Sequence, residues 1–455
     1  MLTSKIQNIL IGTVPASKMM YKGIQLWPRL ETLDVDYLCF ESDGVSSIQF
    51  NKGYNSTFQQ YLPKFQYSYD CDIWNDFTFI FNSDSYAYET QTVYFHINKP
   101  LYVRGLNPDG FLNTKELSVN NPPKTKTKLS GDSVYCKGKL SSIINYSTKT
   151  TTIPHNKCFF EFFRDCEVLK SSPELDFTTL TEFCYYGMFR ETGLEVAPEL
   201  PAQYMKTRCY DSMFYGCENL TSCPELSPWL ADGCYQYMFA YTGISECPEL
   251  PSVSLSTECY AYMFHNCLNI KTSPELPATE IGVRSYNGMF SYSNIQTLPS
   301  IEHVTKINVG GCRSMFFSCN NIKQSGAESF IIKAELSVSA CESMFENASI
   351  TRAALQSRKL YDGCYSAMFY NSDISVVTML ATEADEKAWS TDTVNYYHPF
   401  RDKRVNLTGT TDYVYIGWLD DVPPGHIVLN TNKPSDWTFS KLAIPSNWNY
   451  STVTF

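Results

Sequence analysis

The sequence predicts a mainly β fold with short helices, arranged as an N-terminal antiparallel β-domain, a repeat solenoid and a small C-terminal cap. The main observation is a Met-Phe pair that recurs about every 25 residues through the central half of the 455-residue chain. Self-similarity at such a period is typical of proteins in which each unit buries its apolar side against its neighbours. Before the repeats, short Tyr-, Phe- and Val-rich runs bounded by turn residues indicate antiparallel strands.

The array contains nine units. Phe162-Phe163 is a degenerate first copy, and the eight full copies are Met188-Phe189, Met213-Phe214, Met238-Phe239, Met263-Phe264, Met289-Phe290, Met315-Phe316, Met344-Phe345 and Met368-Phe369. A 25-residue unit with one short strand and one short helical turn fits a leucine-rich-repeat coil. We expect the strand near residues 220–223 and the helical turn in residues 230–239, with Met238 and Phe239 facing inward.

Fixed positions around the pair strengthen this prediction. A Pro-Glu-Leu triplet follows the pair in five units. The next aliphatic residue lies six residues past the Phe in some units and five residues past it in the units between them, so the array has a longer period of about 51 residues. A one-residue difference in a surface turn costs little. The last units diverge, which indicates an approaching cap.

The pattern divides the chain into four predicted regions. Residues 1–30 form an N-terminal arm or small β lobe, residues 31–154 a β-sandwich-like domain, residues 155–384 the leucine-rich-repeat solenoid and residues 385–455 a C-terminal capping β region. The cap is predicted from a non-repetitive sequence that contains four tryptophans and two β-like runs.

Composition excludes several classes of function. The net charge is −11 and no basic stretch is present that would neutralise phosphates, which argues against nucleic-acid binding. No apolar run approaches the ~20 residues of a membrane helix, and the first residues lack the apolar core of an export signal. We therefore expect neither membrane insertion nor export through a cleaved leader.

Most of the 17 cysteines recur at fixed repeat positions. One set lies four residues before the Met of its unit, and a second set (Cys166, Cys217, Cys267 and Cys319) lies three residues after the Phe in alternate units. If units stack ~4.8 Å apart, members of the second set are about 10 Å apart and beyond disulfide reach. We predict free thiols that are buried as small hydrophobes, which suits a reducing compartment. Without a Cys-x-x-Cys pair or a histidine cluster, no metal site is predicted.

Two ladders of side chains are candidate binding surfaces. A tyrosine recurs three residues before the Met at Tyr185, Tyr210, Tyr235, Tyr260, Tyr286 and Tyr365, where aligned rings could stack on sugars or proteins. The alternative is a half-buried spine whose hydroxyls reach water or backbone. The triplets supply a column of carboxylates at Glu174, Glu199, Glu225, Glu249 and Glu275. This column could bind calcium or a basic partner, cap the following helical turn, or stay solvated.

Catalytic motifs are missing from the sequence. It contains no nucleophile elbow, phosphate loop, HExxH helix or paired metal ligands. Asp and Glu are numerous, but a glycosidase pair is recognised by geometry and not by spacing. We predict a protein that is not an enzyme and needs no cofactor.

The repeat consensus is similar to that of a known family. Cys-Tyr-x-x-Met-Phe-x-x-Cys-x-x-Leu-x-x-x-Pro-Glu-Leu-Pro-Ala resembles the BspA-like leucine-rich repeats of bacterial surface proteins, and more closely the form found in phages of gut bacteria. The resemblance covers residues 155–375. Residues 11–23 with Trp27-Pro28 are similar to N-terminal segments of phage virion proteins, and residues 444–448 resemble the usual end of such chains. The resemblance implies an interaction protein and supplies no catalytic residues.

Together these observations predict a non-enzymatic structural or interaction component of a bacteriophage virion, as a head, tail-fibre or decoration protein. It would be assembled in the host bacterial cytoplasm, contact other virion proteins and itself as a homo-oligomer, and present its repeats to a protein or host glycan. The expected lack of an export signal favours this hypothesis over a bacterial cell-surface adhesin, the first alternative. A carbohydrate-active enzyme with a site in the N-terminal domain is the second.

Overall fold

A computed structural model describes four short strands within residues 10–27 and residues 37–54, 61–112, 116, 124–148, 150–325, 327–385, 399–405 and 413–454. Over these residues the protein is mainly β with almost no helix, which confirms the predicted class. A 3₁₀ helix spans Leu140–Ile143.

Two antiparallel hairpins lie near the N-terminus. Their strands are β1 (Leu10–Ile11), β2 (Val14–Pro15), β3 (Met19–Tyr21) and β4 (Ile24–Trp27). β1 pairs with β2, and β3 pairs with β4. These hairpins fall within the predicted arm at residues 1–30, and the rest of that region lies outside the described residues.

Two sheets follow. Their strands are β5 (Leu38–Ser42), β6 (Val45–Gly53), β7 (Phe65–Ser68), β8 (Asn75–Asp76), β9 (Ile80–Asn82), β10 (Ala87–Glu89), β11 (Val93–His96), β12 (Leu101–Gly105), β13 (Thr125–Gly131) and β14 (Val134–Lys137). One sheet has the order β11-β6-β10-β9 with β13 also paired to β6, and the other contains β14-β5-β12-β7-β8. All these pairings are antiparallel.

Aromatic side chains from both sheets form the core between them. Phe50 of β6 lies 4.4 Å from Phe65 of β7 between ring centroids, and Phe40 of β5 lies 6.4 Å from Phe95 of β11. All four rings are buried. Phe162 of the first repeat packs 6.2 Å from Phe50, so this core continues directly into the repeats.

The Met-Phe segments turn tightly without forming helix. Residues 232–241, which include most of the helical turn predicted at residues 230–239, form successive turns, and the corresponding residues of other units do the same. The helical prediction is therefore wrong. Its other part is confirmed, because Met238 and Phe239 are fully buried.

A left-handed residue at every fourth position explains why no helix forms. In the unit around Met188 the residues with positive φ are Phe183, Gly187 and Glu191. Each of them interrupts a right-handed helix. Between them, alternate N–H groups close turns onto the carbonyl three residues earlier, as Met188 N does onto Tyr185 O at 3.1 Å.

The remaining N–H groups of these segments join neighbouring units. Tyr185 N donates to Cys209 O at 3.0 Å, and Phe189 N donates to Met213 O at 3.0 Å. The pattern recurs along the array, for example from Phe214 N to Met238 O at 3.0 Å. Because buried backbone groups need partners, each unit is satisfied only when its neighbour is in place.

Short parallel strands supplement these bonds. They are β15 (Leu169–Ser171), β16 (Glu280–Ile281), β17 (Lys306–Ile307), β18 (Phe330–Ile332), β19 (Glu335–Leu336), β20 (Arg352–Leu355), β21 (Lys359–Leu360), β22 (Val376–Met379) and β23 (Glu383–Ala384). β15 pairs parallel with β14, and the others pair as β16-β17-β19, β18-β20-β22 and β21-β23. Residues 220–223 are irregular, so the predicted strand there is wrong. Pro224 follows them and lacks the N–H that a longer ladder needs.

C-terminal residues cover the last unit. Their strands are β24 (Arg401–Val405), β25 (Tyr413–Gly417), β26 (His426–Asn430) and β27 (Asn449–Val453). β24 and β25 form a hairpin, whereas β26 and β27 extend the parallel sheet beyond β22. The buried Trp418 ring lies 5.9 Å from Phe369, and Phe369 N donates to Trp418 O. Trp418 thus takes the place of a further Phe of the array.

All 17 cysteines are free, and most are buried, as predicted. The second set has a specific role. Cys217 Sγ donates to Phe189 O at 3.0 Å, and Thr192 Oγ1 donates to the same carbonyl at 2.9 Å. The pair recurs as Thr242 and Cys267 on Phe239 O. The position three residues after the Phe therefore holds a hydroxyl in one unit and a thiol in the next. This explains why a Cys occurs there in every second unit.

Replacing Thr242 by Val tests this shared carbonyl. The change keeps the side-chain shape and removes the hydroxyl donor to Phe239 O, so we expect unfolding in urea to require about 1 kcal/mol less free energy. Thr279→Val on the exposed surface is the control. Equal stability of the two variants would contradict the role assigned to Thr242.

Thiol labelling tests the burial of the cysteines. Burial raises the pKa of the Cys217 and Cys267 thiols to about 11, so these thiols stay protonated and unreactive at neutral pH. We expect Cys71, which is half-exposed, to give the fast phase with a thiol-specific dye in the native protein, and Cys71→Ser to abolish that phase. Rapid labelling of Cys217 or Cys267 without unfolding would contradict their burial.

Candidate functional site

The predicted tyrosine ladder lies in the core and not on a surface. Its members are at most 1% exposed: Tyr185, Tyr210, Tyr235, Tyr260, Tyr286 and Tyr365. The rings of Tyr210 and Tyr235 stack 6.0 Å apart with 2° between their planes. The prediction that these rings form a binding surface is wrong, because the turn segments direct them to the same side as the Met-Phe pairs.

Only some hydroxyl groups of this tyrosine ladder form hydrogen bonds in the described part of the chain. Among the described residues, those of Tyr185, Tyr210 and Tyr260 have no hydrogen-bond partner, while the Tyr235 hydroxyl accepts from Ser227 N at 3.1 Å. Burial raises the pKa of Tyr185 and Tyr210 well above the ordinary tyrosine value. The alternative interpretation is confirmed in part, because the rings form a spine and the Tyr235 hydroxyl reaches a backbone group, but the spine is fully buried and not half-buried.

The glutamate column lies on the surface. Glu174, Glu199, Glu225, Glu249 and Glu275 are all exposed, while Pro224 and Leu226 beside Glu225 are buried. The triplets are thus extended, with alternating inward and outward side chains. The capping interpretation is wrong, because residues 150–325, which contain the triplets, include no helix. In the described part of the chain, no group of three or more His, Cys, Asp or Glu side chains is arranged to hold a metal ion.

The outer side of the Met-Phe segments carries a second group of rings, which the sequence reasoning missed. We name it the outer aromatic cluster, and it consists of Tyr215, Tyr237, Tyr241, Tyr262, His265, Tyr292 and Phe317. These residues come from five successive units. All are half-buried or exposed, and the most exposed are Tyr292 at 48% and Tyr241 at 38%.

The rings of the cluster touch one another without a break. Successive ring centroids lie 5.0 to 5.4 Å apart along the row Tyr215, Tyr241, His265, Tyr292 and Phe317. Beside this row, Tyr237 and Tyr262 stack 4.7 Å apart with 2° between their planes. Ring contacts of this kind hold aromatic side chains in defined positions. The cluster is therefore an ordered surface.

His265 is fixed at the centre of the row by two hydroxyls. Its Nδ1 lies 2.7 Å from Ser291 Oγ, and its Nε2 lies 3.1 Å from the Tyr241 hydroxyl. Ser291 Oγ donates to Gly288 O, so it accepts from Nδ1–H, and Nε2 accepts from Tyr241. Burial lowers the pKa of His265, which favours the neutral form of the ring, and the two hydrogen bonds place its proton on Nδ1.

Charged side chains border the cluster on one side. The Arg190 guanidinium lies 4.1 Å above the Tyr215 ring. Arg208 bridges Asp211 at 3.3 Å and Glu258 at 3.4 Å. Asp211 is 2% exposed, and burial raises the pKa of its carboxyl from 3.8 to about 7.

The signal for the cluster was present in the sequence. Aromatic residues flank the Met-Phe pair in consecutive units, one residue before the Met at Tyr237 and Tyr262, and one to two residues after the Phe at Tyr215, Tyr241 and Tyr292. These positions vary between units, so they are not part of the consensus. Only the turn geometry shows that they meet on one face.

No protein-family model, curated protein or solved structure matches the chain. Among the described residues, no helix has the length and apolar character needed to cross a bilayer. Function is therefore inferred from the residues and their arrangement.

Asp211 predicts a specific dependence of stability on pH. Its pKa is higher in the folded chain than in the unfolded chain, so the folded state binds the extra proton between about pH 4 and pH 7. Stability contributed by this group falls as the pH rises through that window. Asp211→Asn should be more stable than the native chain at pH 8, by no more than about 4 kcal/mol, since one pKa unit corresponds to about 1.4 kcal/mol.

The measurement is urea unfolding at pH 4, 6 and 8, with the exposed Asp373→Asn variant as control. A gain for Asp211→Asn that is the same at all three pH values would contradict the pKa assignment.

Proposed function

We propose that the protein is a binding component whose stacked units form a solenoid, of the BspA-like leucine-rich-repeat kind, that displays the outer aromatic cluster to a partner. The observation that carries this proposal is the unbroken row of rings from Tyr215 to Phe317 on the outer side. Single exposed rings are common on folded proteins, whereas contiguous exposed aromatic patches mark interaction sites.

The chemistry of the cluster suits recognition. Tyrosine offers a large apolar face, a hydroxyl that donates and accepts, and few rotatable bonds to immobilise. Arg190 at its edge adds a residue type that is enriched at binding hot spots. Because ring stacking and the bonds of His265 already order the side chains, binding loses little conformational entropy.

We propose a bacteriophage virion as the setting, with assembly in the host bacterial cytoplasm and with homo-oligomeric copies beside other virion proteins. The resemblance of residues 155–375 and 11–23 to such proteins supports it. Many copies on one particle would make individually weak contacts with a host protein or glycan effective through avidity. The chain acts here by binding and not by catalysis.

Mass spectrometry of purified particles tests the setting. Particles isolated on a density gradient from a phage-producing culture that expresses this chain should contain it in constant ratio to the major capsid protein. Its presence only on the cell surface, released by protease shaving, would support an adhesin instead.

Cell binding tests the surface. We expect the fluorescently labelled double variant Tyr241→Ala/Tyr292→Ala to bind cells of the host strain at least about tenfold more weakly than the native chain, since these are the two most exposed rings of the row. Tyr94→Ala, which removes a tyrosine that is 64% exposed on β11, is the matched control. Unchanged binding of the double variant would contradict the proposal.

A further inference from the structure

A groove of about 460 Å³ opens on the N-terminal sheets, far along the chain from the outer aromatic cluster. Its apolar lining includes Phe77, Phe79, Leu106 and Tyr146. Phe77 is buried and forms part of the core, whereas Leu106 is 42% exposed. The size is within the range of small-ligand sites, and the combination of an apolar lining with a few polar groups is their usual composition.

The side chain of Arg104 packs between two aromatic rings next to the groove. The Arg104 guanidinium lies 3.8 Å from the Trp74 ring centroid and 4.0 Å from that of Tyr146. Two rings at these distances hold the planar group in one orientation and add cation–π attraction. Tyr146 therefore holds Arg104 in position and also lines the groove.

A chain of hydrogen bonds runs from this arginine to a carboxylate in the groove. Arg104 Nε donates to Gln66 Oε1 at 2.9 Å, and Gln66 Nε2 donates to Asp76 Oδ1 at 2.9 Å. The backbone of Asp76 is held too, because its carbonyl accepts from Gln91 Nε2 at 2.9 Å. Asp76 is thereby positioned before any ligand arrives, although it lies on the surface.

We propose that this groove binds a short neutral oligosaccharide, of about two sugar rings. The apolar side of a sugar ring would lie on Phe79 and Tyr146, and its hydroxyls would bond Asp76 and Gln66. Lys64 and Thr78 complete the polar lining. This site is separate from the outer aromatic cluster and goes beyond the function proposed for the repeats.

The polar groups favour a sugar over other ligands. Asp76 only accepts hydrogen bonds and Lys64 only donates them, and a hydroxyl can satisfy either one. Asp76 and Lys64 carry opposite charges, so a charged ligand is attracted by one of these side chains and repelled by the other. An extended peptide binds by pairing with free backbone groups of a strand, but Asp76 O and Thr78 N beside the groove already bond the side-chain amide of Gln91.

Saturation-transfer NMR on the full chain tests the proposal. The probes are maltose, cellobiose, lactose and N,N′-diacetylchitobiose, with sialyllactose as a charged sugar and acetyl-(Val-Thr)₃-amide as an extended peptide. We expect saturable binding of at least one neutral disaccharide. Asp76→Asn and Phe79→Ala should each weaken that binding at least about tenfold.

Asp84→Asn is the matched control, because Asp84 is an exposed acid of the same sheets outside the groove. The proposal is overturned if no neutral disaccharide binds, if only the charged sugar or the peptide binds, or if binding is unchanged in both groove variants. The Tyr241→Ala/Tyr292→Ala variant should bind the disaccharide normally. Loss of cell binding in that variant and loss of sugar binding in Asp76→Asn are therefore independent results.

Discussion

The backbone hydrogen bonds between successive Met-Phe segments are the interaction on which the rest of the structure depends. A left-handed residue every four positions directs alternate N–H groups along the stack, as Phe189 N to Met213 O illustrates. The side chains of these segments therefore point to one of two sides of the stack. One side receives the Cys-Tyr and Met-Phe pairs, and the other receives the variable residues that form the outer aromatic cluster.

The inner side of the stack is filled by buried apolar and aromatic side chains. Successive Phe rings stack 5.2 to 6.0 Å apart from Phe163 to Phe369. Tyr185, Tyr210 and Tyr260 lie beside them with buried hydroxyls that have no partner in the described part of the chain, and each such hydroxyl costs free energy. Stacking of the tyrosine rings of successive units from Tyr185 to Tyr286 offsets part of this cost. The thiol and hydroxyl that share Phe189 O and Phe239 O satisfy carbonyls that the ladder leaves with spare capacity.

The ends of the array are closed by non-repetitive chain on both sides. Phe162 packs against Phe50 of the N-terminal sheets, and Trp418 covers Phe369. A stack whose units satisfy each other needs such covers, because a terminal unit otherwise exposes an apolar face and a row of unpaired backbone groups. The outer surface is thereby free to vary without affecting the core.

Sequence reasoning identified the features that follow from residue type. The burial of Met238 and Phe239 and the free thiols follow from apolar character and fixed spacing. The turn conformation was not predictable, because left-handed positions are occupied by Phe183, Glu191 and Arg208 as well as by glycine. The tyrosine ladder was misplaced for the same reason, since its direction depends on those turns. The outer aromatic cluster joins residues at different offsets in different units, which no single-unit pattern reveals.

Hydrogen exchange measured by mass spectrometry tests the central claim most directly. If each Met-Phe segment is bonded to the next, the segments 183–191, 208–216 and 233–241 should be protected to a similar degree and should open together in urea. Met238→Ala should then expose the neighbouring segments as well as its own. Rapid exchange of these segments in the native chain, or opening of one unit while its neighbours stay protected, would contradict the account.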